Sequence, residues 1–221
     1  MVMTSELTKE EINRKLLHGL AVILPLSIFY GPELTGQPKV FVSWVFAVMF
    51  LLFLSIEWMR LNVDSFHSLF CRYFGGMMRE VENKQLTGAT YVMGGSSICS
   101  VIALHSHKSE AAVFLGLTLF ILGDAVAALV GKAFGRIRVG QKTLEGCLGC
   151  FIFCVLLAWF VFPQLPQFLE AWGGPFSIVQ ILLVSAAVSL LELFPIRLGK
   201  VVLNDNLYVP AVVSLAALIL P

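Results

Sequence analysis

LGDAVAALVGKAFGRIRVGQKTLEG, Leu122 to Gly146, decides how this chain is read. An apolar helix carries an aspartate, then small residues at Gly123, Ala127, Gly131 and Gly135, then the cations Lys132, Arg136, Arg138 and Lys142. A helix that only crosses a membrane needs none of this. The small residues recur every fourth position, so they share one face. Such a face lets another backbone, or a ligand, approach closely. Asp124 follows Ala111 by about 20 Å of helix at 1.5 Å per residue. A carboxylate at that depth costs at least about 2.5 kcal/mol and is functional by default. An acid for a metal, bare backbone and several cations are what a triphosphate with Mg2+ requires.

The surroundings are those of a membrane protein. The 221 residues are 58% hydrophobic and 13% charged, with a mean hydropathy of +0.87. A soluble domain is about 45–50% apolar and about 25% charged. The expectation is one all-α polytopic membrane domain over residues 1–221. A net charge of +1 gives no electrostatic case for a nucleic-acid partner. The cysteines Cys71, Cys99, Cys147, Cys150 and Cys154 form no disulfide framework, and the C-x-x-C of GCLGC has no second ligand pair for zinc. They read as small helix-packing residues. The N-terminal segment is long, carries Glu6, Glu10 and Glu11, and does not read as a cleaved signal.

Seven apolar runs are long enough to cross the bilayer, at roughly 16–30, 40–58, 87–105, 110–134, 146–163, 176–194 and 206–221. With the N-terminus inside, Lys9, Arg14, Lys15, Arg60, Arg72, Arg79, Lys84, Lys132, Arg136, Arg138, Lys142, Arg197 and Lys200 all fall on the inner side, and Lys39 and Lys108 outside. That asymmetry places the N-terminus in the cytoplasm and the C-terminus outside. Within 65–80, apolar residues at Phe66, Leu69, Phe70, Tyr73, Phe74, Met77 and Met78 follow a helical period. This predicts an amphipathic helix lying in the cytoplasmic interface.

Further polar groups gather on the inner side. Arg14, Lys15 and His18 begin the first span, Glu57 precedes Arg60, and Glu82 precedes the third span. Glu145 follows Lys142, Glu192 ends the sixth span, and Asp205 and Asn206 begin the last. Buried acids at span ends are candidates for metal ligation or proton transfer. The outer HSH of His105 to His107 reads as a solvated loop without carboxylate support.

These residues carry a resemblance. GDAVAALVGKAFG (Gly123 to Gly135) with KTLEG (Lys142 to Gly146) resembles the signature of the CTP-dependent polyprenol kinases, a family of dolichol, phytol and fungal-type diacylglycerol kinases. RKLLH (Arg14 to His18), IEWMR (Ile56 to Arg60), LTGATYVMGG (Leu86 to Gly95) and DNLYVP (Asp205 to Pro210) resemble other landmarks, in the family's order. Cys147 stands where Ser or Ala is usual, and the extra N-terminal spans typical of dolichol kinases are missing. The resemblance implies transfer of the γ-phosphate of CTP, with Mg2+, to the hydroxyl of a membrane lipid alcohol. It implies a nucleotide site of Asp124, Gly131, Lys132, Gly135, Lys142, Thr143 and Glu145. Asp124 and Glu145 would be metal ligands or bases, Lys132 and Lys142 would meet phosphates, and Arg14 and Lys15 would clamp them. Asp205 would take the hydroxyl proton, with Asn206 orienting it.

Two alternatives compete. A cytidylyltransferase would need the same cations and metal but attack the α-phosphorus, and the long signature of the phosphatidate enzymes is missing. A transporter would suit intramembrane acids and glycine-rich helices. However, no internal repeat stands out in the sequence, and the polar groups crowd one face.

Overall fold

The computed structural model describes residues 9–199 and 201–220. Lys200 and the segment before Lys9 therefore lie outside the described residues. The chain is all-α but for two small hairpins. In order come α1 (Lys9–Leu20), α2 (Ile23–Thr35), α3 (Lys39–Asn62), α4 (Asp64–Phe74), α5 (Gly88–Ile102) and α6 (His107–Phe134). A hairpin of β1 (Arg138–Val139) and β2 (Lys142–Thr143) leads into α7 (Leu144–Phe160). After α8 (Pro166–Trp172) and α9 (Ile178–Leu193), a second hairpin of β3 (Arg197–Leu198) and β4 (Val201–Val202) leads into α10 (Asp205–Ile219).

Four helical segments are long and apolar enough to cross a membrane: Ile12–Thr35, Lys39–Asn62, His107–Phe134 and Leu144–Gln164. α5, α9 and α10 are apolar but shorter. Six of the expected apolar runs thus each fall on one helix and the first falls across α1 and α2, while four helical segments reach spanning length. The first run is broken. Pro25 has no N–H for the carbonyl of Ala21, and Leu24 N–H takes that oxygen instead at 2.9 Å.

α6 is the axis of the molecule. It is apolar on all sides, and a helix of that kind is buried. It packs against α1, α2, α5, α7, α8, α9 and α10. Its start is fixed by Ser106, whose hydroxyl accepts from Ser109 N–H while Ser109 Oγ accepts from Ser106 N–H. The helix therefore begins at His107, earlier than the apolar run. This corrects the reading of the HSH segment. Glu110 falls in the first helical turn, pairs with Lys39 at 2.5 Å and lies 3.7 Å from His107 Nδ1. Carboxylate support exists because the helix extends into the supposed loop. α8 was not expected. Its Phe168 and Trp172 join Phe114, Phe162 and Phe176 in an aromatic cluster beside α6.

The interfacial segment is shorter than its apolar period. α4 ends at Phe74, where Gly75 and Gly76 interrupt it, and two tight turns, Gly75–Met77 and Glu80–Asn83, follow. No residue of α4 is buried.

A repeat also emerges that the sequence reading did not find. α6, α7, α9 and α10 form a closed ring of packed neighbours, and two of its pairs, α6 with α7 and α9 with α10, are each joined through a hairpin. Both hairpins turn at a glycine of positive φ, 62° at Gly140 and 61° at Gly199. The amide of Leu144 closes the first on Ile137 O at 2.9 Å, and that of Leu203 closes the second on Ile196 O at 3.0 Å.

Candidate active site

The ring brings five segments together at its hairpin end. Asp124 from α6 accepts a hydrogen bond from Lys15 Nζ of α1 at 2.6 Å. His18, one turn further along α1, places Nε2 3.4 Å from the same oxygen without a hydrogen bond. Lys142 of β2 reaches in from the other side. Its ammonium lies 3.7 Å from Asp124 Oδ1 and 3.1 Å from Asp205 Oδ2, and it donates a short hydrogen bond to Glu192. Asp124 and Glu192 are almost fully buried, and Lys15 nearly so.

The electrostatics follow from that count. Two lysines face three carboxylates inside apolar surroundings. Burial disfavours the charge on Lys142. The carboxylates of Asp124, Asp205 and Glu192 outweigh it and raise its pKa above the ordinary lysine value. Buried charges are tolerated only when paired in this way. Two polar atoms stay unsatisfied, however. His18 Nε2 and Asn206 Oδ1 are buried with no hydrogen-bond partner among the described residues. Orphans of this kind are uncommon and mark places where another group is expected.

Several expected site residues have other duties. The small face of α6 is covered, not open. A Cβ at Gly131 would stand 2.6 Å from Thr143 Oγ1, and one at Gly135 would stand 2.6 Å from Thr143 Cγ2. Gly146 lies against Ala127 O, and Gly123 faces the thiols of Cys150 and Cys154. These glycines let α7 and its cap seat on α6, so they do not offer bare backbone to a phosphate. Thr143 caps α7, its hydroxyl accepting from Gly146 N–H at 3.1 Å. Glu145 accepts from Ile137 N–H at 3.1 and 3.2 Å and pins the chain where it leaves α6. It is not brought to Asp124, so the two do not form the expected pair. Lys132 stays in the last turn of α6, and Arg136 and Arg138 are exposed beyond it.

Glu57, Arg60 and Glu82 form a second cluster. Arg60 forks onto Glu57 through Nε at 2.8 Å and through Nη2, and donates to Glu82 O and Gln85 O at 2.8 and 2.6 Å. The other Glu57 oxygen accepts from Thr87 N–H and the hydroxyls of Thr87 and Thr90. Glu82 holds the amides of Arg79 and Gly88. This set clasps the C-terminal end of α3 to the start of α5, and both Glu57 oxygens are engaged. Arg79 was counted in the sequence only as an orienting cation. Its backbone N–H donates to Glu82 Oε2 at 2.9 Å, at the turn that leads towards α5. Only its cationic character, shared with many neighbours, could have flagged it.

Residues 1–194 match the Cytidylyltransferase family. The chain belongs to this family. Within the similarities to curated proteins, it is 26% identical over 157 residues to CTP-dependent diacylglycerol kinase 1 of Saccharomyces cerevisiae, covering 69% of this chain and 51% of that protein. It is 28% identical over 213 residues to CTP-dependent diacylglycerol kinase 1 of Schizosaccharomyces pombe, covering 92% and 90%. It is 35% identical over 103 residues to the dolichol kinase of S. cerevisiae, covering 44% and 17%. The chain thus spans about half the length of the first relative and most of the second. No solved structure matches it. The kinship read from the motifs is therefore met, and these relatives carry the names of CTP-dependent lipid kinases.

Proposed function

We propose that this member of the Cytidylyltransferase family is a CTP-dependent lipid kinase that phosphorylates the hydroxyl of a membrane lipid alcohol. The observation that carries this reading is the cluster of Lys15, Asp124 and Glu192, buried, with Lys142 and Asp205, partly buried, assembled from five segments at one end of an apolar helix ring. An ordinary membrane helix bundle has no use for so many desolvated charges. The seven apolar helices cross the membrane, with the N-terminus cytoplasmic, the C-terminus outside and the cluster at the cytoplasmic face. The positive-inside asymmetry supports this orientation.

The residues suit Mg2+. Among the described residues no three histidine, cysteine or acidic side chains form a metal cage. Mg2+ does not need one, because it is commonly held by one or two carboxylates and the substrate's phosphates. Asp124 would hold it together with the phosphates. When bound, it supplies neutralisation of phosphate charge. Lys142 and Lys15, with Arg14 beside them, bind the triphosphate oxygens. Asp205 is the most exposed of the three carboxylates in contact with Lys142. It accepts the proton of the lipid hydroxyl as the new O–P bond forms. The bond from Pγ to the bridging oxygen breaks and CDP leaves. Asn206, next to Asp205 and with a buried Oδ1 that has no hydrogen-bond partner among the described residues, positions the incoming lipid.

The family's name favours a second reading, attack at the α-phosphorus to give a CDP-lipid. The experiment that separates them supplies the purified protein with Mg2+, a mixture of lipid alcohols with phosphatidate, and CTP labelled at either the γ or the α phosphorus. Label in extracted lipid from γ-CTP alone is expected. Label from α-CTP would replace the kinase by a cytidylyltransferase.

A further inference from the structure

The two hairpins carry one motif twice, Ile137-Arg138-Val139-Gly140 and Ile196-Arg197-Leu198-Gly199. Their registers correspond. Arg138 pairs with Thr143 and Val139 with Lys142, while Arg197 pairs with Val202 and Leu198 with Val201. Side chains alternate across a strand, and cross-strand partners share a face. Lys142 enters the acidic cluster, so Arg138 points away from it, and Arg138 is exposed. Arg197 occupies the matching place and is exposed as well.

Each arginine has apolar company that also faces outward. Ile137 is 56% exposed beside Phe134 at 70%, and Ile196 is 37% exposed beside Phe194 at 57%. Cations that serve only to orient a membrane chain need neither exposed apolar neighbours nor a repeated frame. An arginine beside an isoleucine and a phenylalanine is suited to the boundary between headgroups and acyl chains. Its guanidinium fits phosphate oxygens in a two-pronged contact.

We propose that the twin hairpins dock on acidic lipid headgroups of the leaflet on the cluster's side of the membrane. Charge complementarity selects that occupant, since the cytoplasmic leaflet is the anionic one. Docking there holds Lys142 and the start of α10 at the level where lipid hydroxyls lie. The proposal does not depend on which phosphorus of CTP is attacked.

The test is hydrogen exchange on the full-length protein in nanodiscs of phosphatidylcholine, alone or mixed with phosphatidylglycerol. Amides of 136–143 and 195–203 should exchange about 25-fold more slowly in the acidic discs. That protection should fall by about fivefold for each arginine removed. It should vanish in Arg138→Gln/Arg197→Gln and at high salt, with exchange in α6 unchanged as the sign of an intact fold. Equal exchange in the two lipids would overturn the proposal, as would protection that persists in the double variant. Inorganic phosphate reproducing the protection over neutral discs would also overturn it, because the hairpins would then hold a single phosphate. The assay involves no CTP, so its failure is distinct from failure of the kinase reading.

Discussion

The clusters around Asp124 and around Arg60 are alike in composition and opposite in completeness. Both bury ion pairs at the same end of apolar helices. Around Arg60 the guanidinium meets a carboxylate and two carbonyls, and both Glu57 oxygens are taken. Around Asp124 three acids share two lysines, and His18 Nε2 and Asn206 Oδ1 have no hydrogen-bond partner among the described residues. A satisfied cluster rigidifies a fold. An unsatisfied one, held together at a desolvation cost, is prepared for something not yet bound. Buried charge alone therefore does not identify a site; buried charge together with unfinished hydrogen bonding does, since the lone unsatisfied hydroxyls of Ser96, Thr118 and Ser185 stand apart from any such charge cluster.

That contrast can be broken by experiment. The largest effect is expected for Asp124→Asn, which should cut turnover by about a thousandfold while the protein still elutes as a single folded species in detergent. Normal turnover would make the Asp124 cluster as structural as the other. Arg60→Met should do the reverse. It leaves Glu57 buried without its ion-pair partner and should cost about 3 kcal/mol of stability in a denaturation series, while KM for CTP in the folded fraction stays unchanged. A raised KM with full stability would erase the distinction. Lys142→Met should raise KM for CTP by about tenfold through loss of a charge-assisted contact; steady-state kinetics over a CTP series checks this.

The pH response sharpens the picture further. The folded pKa of Lys142 lies above its ordinary value of 10.5. A raised cation contributes stability that is complete below the unfolded pKa and lost as pH rises through the folded one. Melting temperature should thus show no loss from Lys142 between pH 7 and 9, and a loss only on strongly alkaline titration. The smallest effect is expected on the opposite end, where His107→Ala removes an exposed member of the Glu110 group and should change stability by less than about 1 kcal/mol.

Much of the candidate site was legible in single residues. Asp124, Glu192 and Asp205 are acids set in or beside apolar runs, and Lys15 and Lys142 stand beside such runs. Each was conspicuous because its local cost demands a reason. Their pairing was not legible, since Lys15 and Asp124 are 109 positions apart. Glu145 and Thr143 misled for the same reason in reverse. Both sit next to Lys142 in sequence, yet strand alternation and the α7 cap turn them to other partners.

The sequence by itself determined that the chain is helical, apolar enough for a membrane and asymmetric in charge, because period, hydropathy and cation placement are local or additive properties. It also carried the family, because the motifs are contiguous. Only the tertiary structure decided which charges meet, which glycines are covered, and that two short hairpins repeat one geometry. Those facts depend on how helices distant in the chain close into a ring. The same carboxylate can end as a clasp, a cap or a site, according to which partner the closed ring brings within hydrogen-bond reach.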